Sequence, residues 1–338
     1  MRKILVVRTD RIGDVVMITP MIREIRRTYP DCFLAALVSD YTSDILLNNP
    51  HLDTIIIDDL NKESYHKVIK EIRSHSFTDG LLTWPMERAA YQMFRAGVKN
   101  RIGVGRKLYE VITFMKSVSR NDYKPLRHEA DYCMDLARKI GVETTNLTPE
   151  IFVTDEEKEE TKQFLLSKGL SPEDKKVIVH TGYGNSSPNW SEAKYFELIK
   201  QILDKYTGVK IILTAPEMTK EFLEKVNSLN SDRIFNLSND FKRLRNLITT
   251  ISQCDVLISS STGPMHIASA LGVSTISIFC HNAMCRINRW GALGDKAHNI
   301  EVDAKYCESH CKENVSQCEI EKAISTDQIM AELDQILN

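Results

Sequence analysis

Asp255–Gly272 reads DVLISSSTGPMHIASALG. Val256, Leu257 and Ile258 form a short apolar run of the kind that makes a strand buried on both faces of a parallel sheet. Ser259, Ser260, Ser261, Thr262 and Gly263 follow, all small and mostly hydroxylated. Pro264 suits the first turn of a helix, where a missing N–H costs nothing. Met265, Ile267, Ala268, Ala270 and Leu271 carry that helix, and Gly272 stops it. A strand that runs through a small-residue loop into a helix directs backbone N–H groups and the positive end of the helix dipole at one spot. Such a spot suits anions, phosphates above all. His266, in the first turn, adds a donor. By pattern alone, an ordinary strand–loop–helix with nothing bound reads the same way.

The alternation extends outward along the chain. In the first half, strands over 3–7, 33–39, 53–59, 80–84 and 99–106 alternate with helices over 15–29, 41–48, 64–74, 87–96 and 126–141. In the second, strands over 176–182, 209–215, 233–238 and 274–280 alternate with helices over 154–168, 191–206, 219–229 and 241–253, and a helix over 326–337 closes the chain. Such βα succession predicts doubly wound parallel sheets. The fold class is therefore α/β: two Rossmann-like doubly wound domains facing each other across a cleft. The expected divisions are an N-terminal domain over 1–155, a C-terminal domain over 156–322, and a C-terminal helix over 323–338 that packs back toward the first domain. Ligands of open α/β sheets bind beyond the carboxyl ends of the strands. Neither half carries Gly-x-Gly-x-x-Gly after its first strand, which argues against a dinucleotide dehydrogenase.

Composition excludes other classes. A chain of 338 residues with 42% hydrophobic and 27% charged residues is a globular protein long enough for two domains. A net charge of −2 lacks the basic excess of a nucleic-acid binder. No apolar run approaches the roughly 20 residues that span a bilayer. The N-terminal MRKILVVRTDRIGD has too short an apolar run for a signal peptide, so a cytoplasmic location is the expectation.

Two loops carry candidate chemistry. Arg8–Asp14, RTDRIGD, follows the first strand, and Asp14 sits at the start of a helix, where the dipole holds a carboxylate ready to accept a proton from a hydroxyl. A first-turn Asp that merely caps the helix has the same appearance. His180–Trp190, HTGYGNSSPNW, follows the first strand of the second half. Gly182 lets backbone N–H groups approach a ligand, and Ser186 and Ser187 add hydroxyl donors. Trp190 reads as a packing residue.

Together, DRIGDVVMITPMIREIRRTYP (10–30) and STGPMHIASALGVSTISIF (261–279) resemble glycosyltransferase family 9, the bacterial ADP-heptose:lipopolysaccharide heptosyltransferases. The likeness continues through RAGVKNRIGVGR (95–106), HEADYCMDLARKIGV (128–142) and the HTGYGNSSPNW loop, and so covers most of residues 1–280. The resemblance implies GT-B architecture and an inverting sugar transfer that needs no metal for catalysis. Its donor is ADP-heptose and its acceptor a lipopolysaccharide core sugar. It implies Asp14 as the base, Thr262, Gly263 and His266 as diphosphate ligands, Ser261 at the donor sugar, and Glu217 at the ribose hydroxyls. A phosphorylated glycolipid acceptor calls for guanidinium forks, and Arg11, Arg88, Arg101 and Arg106 stand in loop positions of the first half. An enzyme on such an acceptor would contact the inner membrane peripherally.

Two positions depart from the family pattern. Many members carry Lys or Arg two residues before the loop Trp, where this chain has Pro188; Asn189, Ser186 and Ser187, or another cation, must substitute. Several have Asp where this chain has Ser261, which leaves open another nucleotide sugar, a protein or O-antigen acceptor, or a sugar-nucleotide-binding protein without catalysis.

Cys32, Cys133, Cys254 and Cys280 each stand alone in apolar or helical surroundings and read as buried thiols. Cys285, Cys307, Cys311 and Cys318 crowd into 34 residues. Four thiolates suit a structural zinc or iron, with His310 as an alternative ligand, while reduced thiols in a loop are the other reading.

Overall fold

The computed structural model describes the chain except for residues 106, 183, 185, 186 and 311–317. It divides into two compact units, Met1–Phe152 and Val153–Asn338. Each is an α/β unit around one six-stranded parallel sheet.

In the first unit the strands are β1 (Lys3–Val7), β2 (Phe33–Val38), β3 (Thr54–Ile57), β4 (Asp79–Leu82), β5 (Asn100–Val104) and β6 (Lys116–Val118). Their order across the sheet is β3-β2-β1-β4-β5-β6. The second unit repeats this with β7 (Lys175–His180), β8 (Val209–Leu213), β9 (Ile234–Asn236), β10 (Val256–Ser260), β11 (Ser274–Phe279) and β12 (Ala297–Glu301), ordered β12-β11-β10-β7-β8-β9. The inner strands are buried past their first residue because helices cover both faces of the sheet, as in β1 (KILVV), which is apolar after Lys3, and β11 (STISIF), which buries its hydroxyl residues as well. In each unit the chain starts at the middle of the sheet, builds outward one way and returns to build the other. The crevices that admit ligands therefore open beyond β1 and β4, and beyond β7 and β10.

The sequence reading holds for the central strands and the longer helices, and it leaves out several short helices, Leu108–Ile112 among them. Both edge strands, β6 and β12, go unread because each is polar: KSV is mostly exposed and AHNIE is half-buried throughout, so neither carries an apolar run. The single helix expected over 15–29 is two, Ile12–Val16 and Thr19–Thr28. Pro20 has no N–H for the Val16 carbonyl, and the Thr19 hydroxyl bonds that carbonyl instead at 2.8 Å. The closing helix, Thr326–Leu337, is built into the second unit's own core, where Ile329 and Leu333 are fully buried and the helix lies on Glu192–Lys205 and β11.

Candidate active site

In the first unit the crevice beyond β1 is organised by a residue that sequence reading passed over. Arg8 follows β1 directly and is buried. Its Nε donates to Asp10 Oδ1 at 2.7 Å, and Nη2 donates to the Asp14 carboxylate. Its Nη1 reaches Glu129 Oε1 and the Thr83 carbonyl, each at 3.4 Å. Glu129, wholly buried, opens the helix Glu129–Arg138, whose cap His128 accepts the Ala130 N–H on Nδ1 at 3.2 Å. Arg120 donates to the same carboxylate at 3.0 Å and to the Thr83 carbonyl at 3.1 Å. Two guanidiniums thus face three carboxylates, and Thr83 ties them to the end of β4. Over Arg8 lies the Trp84 ring, 5.5 Å from the guanidinium carbon, with 40% of the residue exposed.

Asp14 lies in the first turn of Ile12–Val16 with only 13% of its side chain exposed. Burial pushes its carboxyl up to about 6; Asp10 and Glu129 add to the rise, and the opposing pull of Arg8 and Arg11 does not cancel it. A carboxylate with that affinity for protons, beside a fixed guanidinium, is suited to general-base work near neutral pH.

The four arginines chosen for the acceptor do not share one environment. Arg11 is exposed and makes no side-chain hydrogen bond or ion pair among the described residues. Arg88 instead forms a bidentate pair with buried Asp58, at 2.8 Å for both contacts, and also bonds the Asn61 carbonyl and Ser64 hydroxyl. Arg101 turns inward, donating to the Thr113 carbonyl at 3.0 and 2.5 Å and to the Val98 carbonyl. Arg106 lies outside the described residues.

In the second unit, three loops converge because their strands are neighbours: Ser259 of β10 pairs with His180 of β7, and Val179 of β7 with Leu213 of β8. Thr262 stands before the helix Gly263–Ala270 in extended conformation and makes no side-chain cap, so the first-turn N–H groups of Gly263 and Met265 lack that partner. Its hydroxyl lies 3.4 Å from Ser259 Oγ. His266 is buried in the first turn, 6.1 Å ring to ring from Trp290. Arg289, also buried, places its guanidinium 5.3 Å from the same Trp290 ring. It is a buried cation in the same neighbourhood, which sequence reading missed because it lies beyond the matched motifs.

The His180 loop joins the others through small residues. The Ser187 hydroxyl donates to the Ser261 carbonyl at 2.8 Å. Asn189 donates to the Thr181 carbonyl at 2.6 Å and accepts from Tyr195 Oη at 2.8 Å. Ser187 and Asn189, both considered as replacements for the basic residue absent at Pro188, therefore hold the loop itself; Ser186 lies outside the described residues. Trp190 is buried against Tyr195, a packing residue as read. A Cβ on Gly182 would lie 2.7 Å from Glu217 Oε2 and 3.2 Å from His180 Nε2, so these residues meet in one place. His180 bonds Thr214 Oγ1 through Nδ1 at 2.8 Å, and burial pushes its pKa down to about 4, which keeps it neutral.

The late cysteines lie only in part among the described residues. Among the described residues no group of three or more His, Cys, Asp and Glu side chains is placed to hold a metal ion. Cys280, read as solitary, has its sulfur 3.7 Å from that of Cys307, and Cys285 and Cys318 pack half-buried against the same apolar core. Burial pushes the Cys280 thiol up to about 11, so it packs as a small hydrophobe. Cys311 lies outside the described residues.

The chain is similar to known proteins over most of its length. The family described as Glycosyltransferase family 9 (heptosyltransferase) matches residues 65–322. A Haemophilus influenzae protein named "Putative glycosyltransferase" is 26% identical over 98% of this chain and 96% of its own length. A lipopolysaccharide core heptosyltransferase of the same organism is 22% identical over 90% of this chain and 86% of its own. Among solved structures, the E. coli ADP-heptose lipopolysaccharide heptosyltransferase II superposes with a TM-score of 0.79 at 20% identity, covering 100% of this chain and 98% of that one.

Proposed function

This chain belongs to glycosyltransferase family 9, and on that premise we propose that it moves heptose from ADP-heptose to a sugar of a lipopolysaccharide core, with inversion at the anomeric carbon. It is a glycosyltransferase of GT-B architecture, related to the lipopolysaccharide heptosyltransferases. The observation that carries the mechanism is Asp14: a carboxylate beyond β1, held by Arg8 and raised by burial to about 6.

In the proposed step, an acceptor hydroxyl gives its proton to the Asp14 carboxylate while its oxygen attacks the anomeric carbon. The bond from that carbon to the diphosphate oxygen breaks, and ADP leaves with the electron pair. Charge grows on the leaving oxygens, and donors already fixed there lower the barrier. The N–H groups that open Gly263–Ala270, with Thr262 and His266, are those donors, and no step calls on a metal. Arg289, beside the same Trp290 ring as His266, supplies the positive charge that Pro188 cannot. Glu217, against Gly182, takes the ribose hydroxyls. Ser261 borders the donor sugar, and Arg11 is the acceptor-binding guanidinium.

The test is transfer from ADP-heptose to a heptose-free core glycolipid, with ADP binding followed by calorimetry. Asp14→Asn is expected to lower turnover by about 10²–10⁴-fold, the usual loss for a general base, and to leave ADP affinity within about twofold. Normal turnover in that variant sinks the base assignment. No ADP binding at millimolar concentration by the unaltered protein sinks the donor.

A further inference from the structure

The short helix Leu108–Ile112 of the first unit is reversed relative to an ordinary surface helix. Its carboxylate is inside: Glu110 is buried, accepting from Ser117 Oγ at 2.7 Å and from the Lys107 backbone N–H at 3.3 Å. Thr113, which follows the helix, is buried too, its hydroxyl donating to the Tyr109 carbonyl at 2.7 Å. Its apolar residues are outside. Leu108, Val111 and Ile112 share one face by their spacing and are 76, 69 and 48% exposed, and Phe114, just beyond, is 78% exposed. The Phe94 ring, 6.3 Å from that of Phe114 and also exposed, extends the patch. Surface leucines scattered singly need no explanation, but a contiguous apolar patch with a polar rim marks a contact surface.

The rim identifies what it contacts. Arg95, Lys99, Lys107 and Lys116, all exposed, accompany this face, and the one acidic residue of the stretch, Glu110, is buried. The whole chain carries −2, so this stretch is basic against an acidic remainder. A second copy of the chain would bring two positive rims together, which costs free energy. An anionic bilayer suits both parts of the surface: apolar side chains enter the boundary between headgroups and acyl chains, while lysines and arginines meet lipid phosphates. The acidic remainder of the chain is repelled by the same surface, which fixes one face toward it. No helix of the described residues is long and apolar enough to cross a membrane, so the contact is peripheral.

We propose that the Leu108–Phe114 face seats the first unit on an anionic lipid bilayer, with Leu108, Val111, Ile112 and Phe114 inserted below the headgroups. The inference rests on this surface alone and holds whatever sugar the enzyme moves.

The test is co-sedimentation of the full chain with phosphatidylcholine vesicles, with and without phosphatidylglycerol, at low and high salt. The unaltered protein is expected to pellet with the anionic vesicles, and less so with neutral ones or at high salt. The triple variant Leu108→Ser/Val111→Ser/Phe114→Ser is expected to lose binding by about tenfold or more. Because these side chains are exposed, its melting temperature and its ADP affinity should be unchanged, which separates lost docking from lost folding. Lys107→Glu/Lys116→Glu should weaken binding to anionic vesicles only. The proposal is overturned if the unaltered protein stays in solution with anionic vesicles, or if the triple variant pellets as well. It is equally overturned if light scattering shows self-association through this face, or if an acidic protein occupies it in preference to lipid. Loss of vesicle binding with ADP affinity intact would strike the docking face and leave the transferase reading standing.

Discussion

Asp14 has its charge opposed by burial and favoured by Arg8, and burial prevails. Since the base must be unprotonated, kcat/KM should be level above about pH 6 and fall about tenfold per pH unit below it. A profile that stays level down to pH 4.5 would rule Asp14 out as the titrating base. Arg88 makes the opposite case, in which a neighbour holds the charge. Burial raises the Asp58 carboxyl, but hydrogen bonds from Arg88, Gln92 and Ser64 outweigh it and hold the group below the usual carboxylate range. Arg88→Ala leaves that buried carboxylate without its cation. It should lower stability by about 3 kcal/mol, the low end for breaking a buried pair because Arg88 is partly exposed, while the KM for acceptor stays unchanged. Urea unfolding and steady-state kinetics separate the two effects. Asp14 stands out in the sequence because it follows Gly13 at the start of a helix, in the loop after the first strand. Arg8 and Glu129 were not, because their contact spans 121 residues and no local pattern announces a partner that far away.

The same distinction holds for whole elements. Central strands betray themselves by apolar runs, since both faces are covered; β6 and β12, at the edges, carry no such run and stay hidden. The break at Pro20 follows from a missing N–H and is readable in principle. The reversed helix Leu108–Ile112 is not, because apolar residues at helical spacing ordinarily mean a buried face. The loop after β7 shows what a single small residue contributes. Gly182 has an ordinary backbone conformation that Ala can adopt, but the new Cβ would press on the Glu217 carboxylate at 2.7 Å. That carboxylate ends a flexible side chain and can move aside, which displaces it from its place beside the loop. Gly182 is buried and the new Cβ would also meet Ala215 Cβ and His180 Nε2 at 3.2 Å, so Gly182→Ala should cost about 1–3 kcal/mol of stability, the usual range for overpacking. Its ADP affinity should also fall by about tenfold, the worth of one charge-assisted hydrogen bond. Unchanged ADP affinity would remove Glu217 from the ribose.

At the scale of the molecule, each unit repeats one design: a six-stranded sheet whose chain starts at the centre, with the candidate residues just past the central strands. Each also has its own core, around Leu5, Leu37 and Met93 in one and around Val179, Ile258 and Ile276 in the other. The loop over 261–263, the His180 loop and Glu217 all belong to Val153–Asn338, whereas Asp14 belongs to Met1–Phe152. If nucleotide binding is a property of the second unit, a fragment of residues 153–338 should fold by itself and bind ADP, and a fragment of residues 1–152 should fold and not bind it. A ligand present at 100 times its Kd stabilises the state that binds it by about 2.7 kcal/mol. For a unit of this size that corresponds to a rise of about 5–10 °C in melting temperature. ADP should produce that rise in the 153–338 fragment and none in the 1–152 fragment. A shift in the first fragment, or none in a folded second fragment, would mean that the nucleotide is held by residues other than the loops beyond β7, β8 and β10.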